Sequence, residues 1–381
     1  MTDFLEMDVQ PDVWKDASNR NQLFFNQKFI KKTKQYTFTG RQIKNIYLVS
    51  FLANLTELGL YNNKISDISI ISFLKNLQRL ELQDNSIEDI SAFQSLPDLT
   101  HLYLSNNKLT SYTQALPNLV ELFLSRNKVL DISGLQNSPK LQKLYLTGTE
   151  ITDLDNIPHQ FGLKVLVLRN NNITQISHIS NFVDLQSLSL DYNQQLQNMG
   201  PLKFCTQLTQ LNISTTNVTD IWPLQFLKNL QILQMDNTKV IDLRPLQLLY
   251  KLENIYAHHT FLIDVSPLSK LTQLDTLDFS FNKITNADTL KHHKNFSKYC
   301  LADQKVPTID EFKFYNKIVS VHSSHKKIRH ILYDKKIQQF RTSLTQKKNY
   351  ISAKLNNQIM AMNQELNLFM QFIHNSNMYL D

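Results

Sequence analysis

One leucine recurs through this chain at a nearly constant interval. Leu55, Leu77, Leu99, Leu119, Leu141, Leu163, Leu185, Leu208, Leu230, Leu252 and Leu274 are spaced by 22 residues eight times, by 20 once and by 23 once. A period of this length makes each unit a single structural element. Such a unit cannot bury its own apolar face, so the units must stack. The 20-residue unit is shortened after KLTSY, and the 23-residue unit carries an extra residue in YNQQLQN. A degenerate further unit spans 33–54, with Tyr36, Phe38, Ile43, Ile46 and Leu52 at apolar positions. The unit opened by Leu274 keeps its strand but loses the pattern after Leu290.

Each unit reads L-x-x-L-x-L-x-x-[N/T]-x-[I/L/V]-x-x-[I/L]-x-x-L-x-x-L-x-x. The x-L-x-L-x part alternates with period two and predicts a half-buried strand. Three places after its last leucine comes Asn63, Asn85, Asn107, Asn127, Asn171, Asn193 or Asn282, or in four units Thr149, Thr216, Thr238 or Thr260. A side chain there faces a tight interior turn whose backbone groups need partners. Threonine offers fewer hydrogen bonds, so its turns should be less well satisfied. A recurring aspartate (Asp67, Asp89, Asp131, Asp153, Asp220, Asp242, Asp264) opens the return path and suits the cap of a short 3₁₀ or α turn. Pro223, Pro245 and Pro267 follow three residues later, where such a turn starts.

The units resemble leucine-rich repeats, and among these the 22-residue subclass shared by SDS22-type phosphatase regulators and the internalins. The resemblance covers roughly 33–290. It implies an α/β solenoid: a curved horseshoe with a parallel β-sheet on its concave face, followed by C-terminal α-helices. Residues 1–32, with Trp14, Leu23, Phe24, Phe25 and Phe29, are expected as the N-terminal cap, 33–290 as the solenoid of about 12 repeats, 291–312 as the C-terminal cap or linker, and 313–381 as a basic amphipathic helical segment.

Composition narrows the function. Only 6 glycines occur, and neither GxGxxG nor GxxxxGK[ST] is present, which argues against nucleotide-binding loops. Cys205 and Cys300 stand in unrelated contexts, so neither a disulfide framework nor a cysteine zinc site is suggested. The start lacks the basic and apolar regions of a secretory signal, and no apolar run is long enough to span a bilayer. The expectation is an intracellular, cytoplasmic protein, with the nucleus as the alternative place. No catalytic motif stands out, so the expected class is a non-enzymatic scaffold or adaptor without cofactor or metal.

On a stacked sheet, the third, fifth and seventh residues of each unit face the concave side. The fifth column places Tyr103, Phe123 and Tyr145 side by side, flanked by His101, Glu121 and Lys143 of the third column, with Tyr61 two units away. Exposed aromatics among charges are what binding hot spots look like. Neighbouring aromatics on a sheet also pack on one another. The seventh column pairs Arg169 with Asp191 and Asp236 with His258, as cross-strand pairs of opposite charge do. Tyr256 lies in the fifth column beside His258. His258 is expected on the concave face and His259 in the turn, pointing opposite ways and making poor joint metal ligands. That leaves His258 as a contact of pH-sensitive type on the binding face.

The charge is uneven. Residues 313–381 hold 11 Lys/Arg and 3 Asp/Glu, which leaves 29 and 30 of the totals of 40 and 33 for residues 1–312. Thr308 and Glu311 form a capping box, and Ile337, Phe340, Leu344, Ile351, Leu355, Ile359, Met362, Leu366, Phe369 and Ile373 recur at helical spacing. Lys326, Lys327, Arg329, Lys335, Lys336, Arg341, Lys347 and Lys348 form a basic stretch. It reads first as the solvated face of a coiled-coil stalk that self-associates. An acidic protein, nucleic acid or a membrane surface are the competing partners. The function expected is binding of a protein partner through the concave face. The alternatives are an SDS22-like phosphatase subunit and a scaffold whose basic C-terminal helix does the binding.

Overall fold

A computed structural model describes residues 34–302, apart from 155–156 and 158–161. The capping segment 1–32, the expected C-terminal helices and the basic stretch lie outside the described residues. Twelve three-residue strands form one parallel sheet in strict chain order: β1 (Gln35–Thr37), β2 (Glu57–Gly59), β3 (Arg79–Glu81), β4 (His101–Tyr103), β5 (Glu121–Phe123), β6 (Lys143–Tyr145), β7 (Val165–Val167), β8 (Ser187–Ser189), β9 (Gln210–Asn212), β10 (Ile232–Gln234), β11 (Asn254–Tyr256) and β12 (Thr276–Asp278). The degenerate unit at 33–54 supplies the first of them. Along most strands the middle residue is buried and its neighbours are partly exposed, as the period of two requires. The register joins equivalent positions throughout, so Leu80, Leu102, Leu122 and Leu144 stack in one line.

The return paths are mostly short 3₁₀ turns on the opposite side, such as Ser69–Phe73 and Trp222–Phe226. Their inward residues Ile71, Phe93, Leu135, Leu202 and Leu224 join the strand leucines in one continuous core. The recurring aspartate works by accepting the N–H two residues on: Asp67 from Ser69 at 2.9 Å, Asp89 from Ser91 at 2.8 Å and Asp220 from Trp222 at 2.8 Å. The Ser69 N–H holds the Asp67 carboxyl below its ordinary range. Pro223, Pro245 and Pro267 occupy the first turn of their 3₁₀ segments, where a missing N–H costs nothing.

The residue before each ladder position sits in the left-handed region, from Asn62 (φ 56°) to Phe281 (φ 56°). Gly148, at φ 64°, fills that place before Thr149 without strain. The ladder itself behaves differently at asparagine and at threonine. Asn107 donates to Leu82 O (2.9 Å) of the preceding unit and to Leu104 O (3.0 Å) of its own, and accepts from Ile87 N (3.0 Å). Thr238 donates to Met235 O (2.7 Å) within its own unit.

The shortened unit replaces its 3₁₀ turn by backbone pairing. Tyr112 is wholly buried, its N–H donates to Asp131 O (2.7 Å), and Gly134 N donates back to Tyr112 O (3.0 Å). A Cβ at Gly134 would stand 2.5 Å from the carbonyl carbon of Thr113, so only glycine admits this approach. At the other end, Cys300 bridges to Asp278 beyond the last strand, and Tyr299 Oη donates to Leu274 O (3.0 Å).

Candidate protein-binding face

The register places Tyr103, Phe123 and Tyr145 directly opposite one another on β4, β5 and β6, and His101, Glu121 and Lys143 likewise. The three rings form a near-parallel stack. Centroids lie 4.5 Å apart at 18° for Tyr103–Phe123 and 4.0 Å apart at 6° for Phe123–Tyr145. The spacing follows the inter-strand distance of about 4.8 Å. Packing and exposure therefore hold together. The ring faces cover one another, while their outer edges leave all three residues partly exposed.

Charges fix the edges of this stack. Lys143 Nζ lies 2.6 Å from Glu121 Oε1, and Tyr103 Oη donates to Glu121 Oε2 at 3.3 Å. The guanidinium of Arg79 covers the open face of Tyr103 at 4.5 Å, and Glu81 holds Arg79 at 2.7 Å. Arg79 and Glu81 are the members of this cluster that the sequence reading missed. They occupy the third and fifth columns one unit before His101 and Tyr103, so the column pattern contained the signal, but no aromatic drew attention to that unit.

Burial pushes the Tyr103 and Tyr145 hydroxyls up, with the neighbouring Arg79 and Lys143 opposing. Burial also holds the His101 imidazole below its ordinary value; the Glu121 charge opposes this, and Arg79 and Lys143 reinforce it. Burial pushes the Glu121 carboxyl up, but the Lys143 hydrogen bond and charge outweigh it and hold the group low. Lys143 is raised by the same hydrogen bond. At neutral pH the face carries a neutral imidazole, two ion pairs and a cation-capped aromatic ridge.

The rest of the concave face is built otherwise. Arg169 pairs with Asp191 at 2.8 Å, as expected, and also covers the Tyr192 ring at 4.5 Å. The buried Asp191 carboxylate accepts the Ser189 hydroxyl as well. Asp236 and His258 are neighbours, but not through a side-chain ion pair. Asp236 Oδ1 accepts the His258 backbone N–H (2.8 Å), and the His258 ring turns to Ser280 Oγ (2.9 Å), which donates to Asp278 (2.6 Å). Burial raises the Asp236 carboxyl, with the His258 N–H opposing and Asp278 adding to it.

The two histidines also correct the sequence reading. His259 lies at φ 51°, outside strand geometry, so the expected alternation fails and the rings meet edge to face at 4.3 Å. Phe281 stacks on His259 at 4.5 Å. Asp264 is occupied elsewhere, by Ser266 and Asn286. Among the described residues, no group of three or more His, Cys, Asp or Glu is placed to hold a metal ion. Tyr256, on β11, and Tyr61 lie outside the aromatic stack.

The comparisons with known proteins agree with this architecture. The family described as "Leucine rich repeat" matches residues 53–109, and "Leucine Rich repeats (2 copies)" matches 117–159. No curated protein matches the sequence. Among solved structures, an internalin from Listeria monocytogenes is 26% identical with a TM-score of 0.62, over 74% of this chain and 90% of that one. The functional domain of InlJ from the same organism is 24% identical with a TM-score of 0.61, over 72% and 64%. The Drosophila Toll–Spatzle complex is 20% identical with a TM-score of 0.59, over 73% and 45%. Among the described residues, no helix is long and apolar enough to cross a membrane.

Proposed function

From the premise that the chain is a leucine-rich-repeat protein, we propose that it binds a protein partner through β3 to β6 of its concave face. The fold is generally that of a non-enzymatic interaction module. The observation that carries this reading is the stack of Tyr103, Phe123 and Tyr145, capped by Arg79 and edged by the Glu121–Lys143 pair. Aromatic and arginine side chains dominate interface hot spots, because a rigid ring contributes large contact area with little entropy lost. A stack already locked in place loses still less on binding. This reading is preferred to an SDS22-like phosphatase role, whose contacts form no linear motif that can be placed on these residues. It is also preferred to binding by the basic stretch, because clusters of like charge are usually solvated faces.

The test is recovery of partners by the full chain, with mass spectrometry as the readout. Tyr103→Ala with Tyr145→Ala should abolish recovery while the far-ultraviolet circular dichroism stays unchanged. Unchanged recovery would reduce the stack to packing alone.

A further inference from the structure

The outer side of the solenoid carries a second surface that the concave reading does not use. Phe204 and Phe226 close the 3₁₀ turns Gly200–Phe204 and Trp222–Phe226, and Leu248 follows the turn Arg244–Leu246 at the same 22-residue interval. With Tyr250 they form a row over three adjacent units, exposed by 53%, 49%, 49% and 54%. At the same place the middle units carry Ser95, Asn137 and Asn181, so the fold does not require an apolar residue there. Large apolar residues at a position that packing leaves free mark a contact surface.

The segments that carry the row hold charge of one sign. The segments 203–207, 225–229 and 247–251 contain Lys203, Lys228 and Lys251, all exposed, and no Asp or Glu. The Lys203 ammonium lies 4.9 Å from the Phe204 ring centre. The next carboxylate along the chain, Glu253, stands at the entry to β11. Lys270, Lys291 and Lys294 continue the basic character over the following units, with Asp288 paired to Lys291 and the exposed Asp275 paired to Lys298. Nothing among the described residues covers the row.

We propose that this ridge docks on an anionic lipid bilayer, with Phe204, Phe226, Leu248 and Tyr250 entering the headgroup region and the lysines meeting the lipid phosphates and carboxylates. The mixture of chemistries favours a bilayer over a polymer: large apolar side chains can enter a headgroup region while neighbouring lysines stay at its anionic surface. Apolar side chains ringed by lysines are what such a surface retains, each lysine strengthening the contact and salt weakening it.

The experiment uses the full chain and co-sedimentation with phosphatidylcholine vesicles, with and without phosphatidylserine. The expected result is capture by the phosphatidylserine vesicles, lost on raising the salt. Lys203→Gln, Lys228→Gln and Lys251→Gln together should weaken partition roughly 100-fold, from about fivefold per lysine. Phe204→Ser with Phe226→Ser and Leu248→Ser should weaken it about tenfold or more. Phe226→Trp keeps the ridge apolar, and its emission should shift to the blue when phosphatidylserine vesicles are added. Three outcomes overturn the proposal: no capture; capture equal in all variants, which assigns it to the basic stretch 313–354; or no vesicle capture together with ridge-dependent binding of polyglutamate or polyuridylate, which assigns the ridge to a protein or nucleic-acid partner.

Discussion

The two ends of the concave face share one backbone and differ in almost every side chain. Between β3 and β6, long residues rise from the sheet: an arginine over three stacked rings, with a carboxylate and an ammonium along their edges. Between β8 and β12, short residues are tied to one another, as in Ser189 to Asp191 and His258 to Ser280 to Asp278. The ladders beneath differ in the same sense. Asn63, Asn85, Asn107 and Asn127 each link two units, whereas Thr216, Thr238 and Thr260 each donate to a carbonyl of their own unit. Thr260 gains a cross-link only because Asn282 follows and accepts from it at 2.6 Å. Three of the four ladder residues under the ridge are asparagines that link two units, Thr149 being the exception, whereas the threonines at 216, 238 and 260 form one run in the other half, between the linking Asn193 and Asn282. A binding constellation gains from a supporting layer that cannot shift.

The ladder contrast has the largest expected effect on stability. Asn107→Ala removes two carbonyl partners and one amide partner at the interior turn, and should lower stability by about 2–3 kcal/mol. Thr238→Ala removes one bond and should cost about 1 kcal/mol. Urea titrations of both variants check the order; a larger loss at Thr238 would erase the distinction between the halves. The reverse change sharpens it. Thr238→Asn places an amide where it reaches the Ile213 carbonyl and the Val218 N–H, as Asn107 reaches Leu82 and Ile87. It should raise stability by about 0.5–1.5 kcal/mol and slow hydrogen exchange in the units at 216–260.

The smallest effect lies in acid. The folded His101 imidazole titrates below its ordinary value, so the unfolded chain takes up that proton first. Its contribution is whole above about pH 6.5 and is lost as the pH falls from there. Glu121, also held low when folded, adds a further loss below its ordinary carboxylate range. His101→Gln should flatten the stability profile just below about pH 6.5, and an unaltered profile there would remove His101 from the electrostatics of the face.

Period and side-chain type made most of the fold legible. The 22-residue interval gives the sheet and its register, and the ladder residues follow from counting. The degenerate unit at 33–54 was also readable, since Tyr36 and Phe38 keep the strand spacing although no leucine stands on that strand. What escaped was local backbone geometry. The place before Thr260 puts His259 in the turn, but residue type does not mark it as left-handed, because Asn, Asp, Arg, Tyr, Thr and Phe all occupy that place in other units. The meeting of His258 and His259 was therefore invisible. In the candidate site, the columns brought the three rings together, but the guanidinium over Tyr103 depended on a rotamer that column position does not determine. The His258 ring turned to Ser280 for the same reason: both it and Asp236 had a choice of partners within reach.

The most direct measurement compares the two halves in one experiment. A photo-crosslinking phenylalanine is placed at Phe123 in one full-length protein and at Tyr256 in another, and covalent adducts are counted after irradiation with partner-containing extract. The account predicts adducts from position 123 and not from position 256, abolished by Arg79→Ala with Tyr103→Ala. Adducts from 256 alone, or adducts at 123 that survive loss of Arg79 and Tyr103, would contradict it.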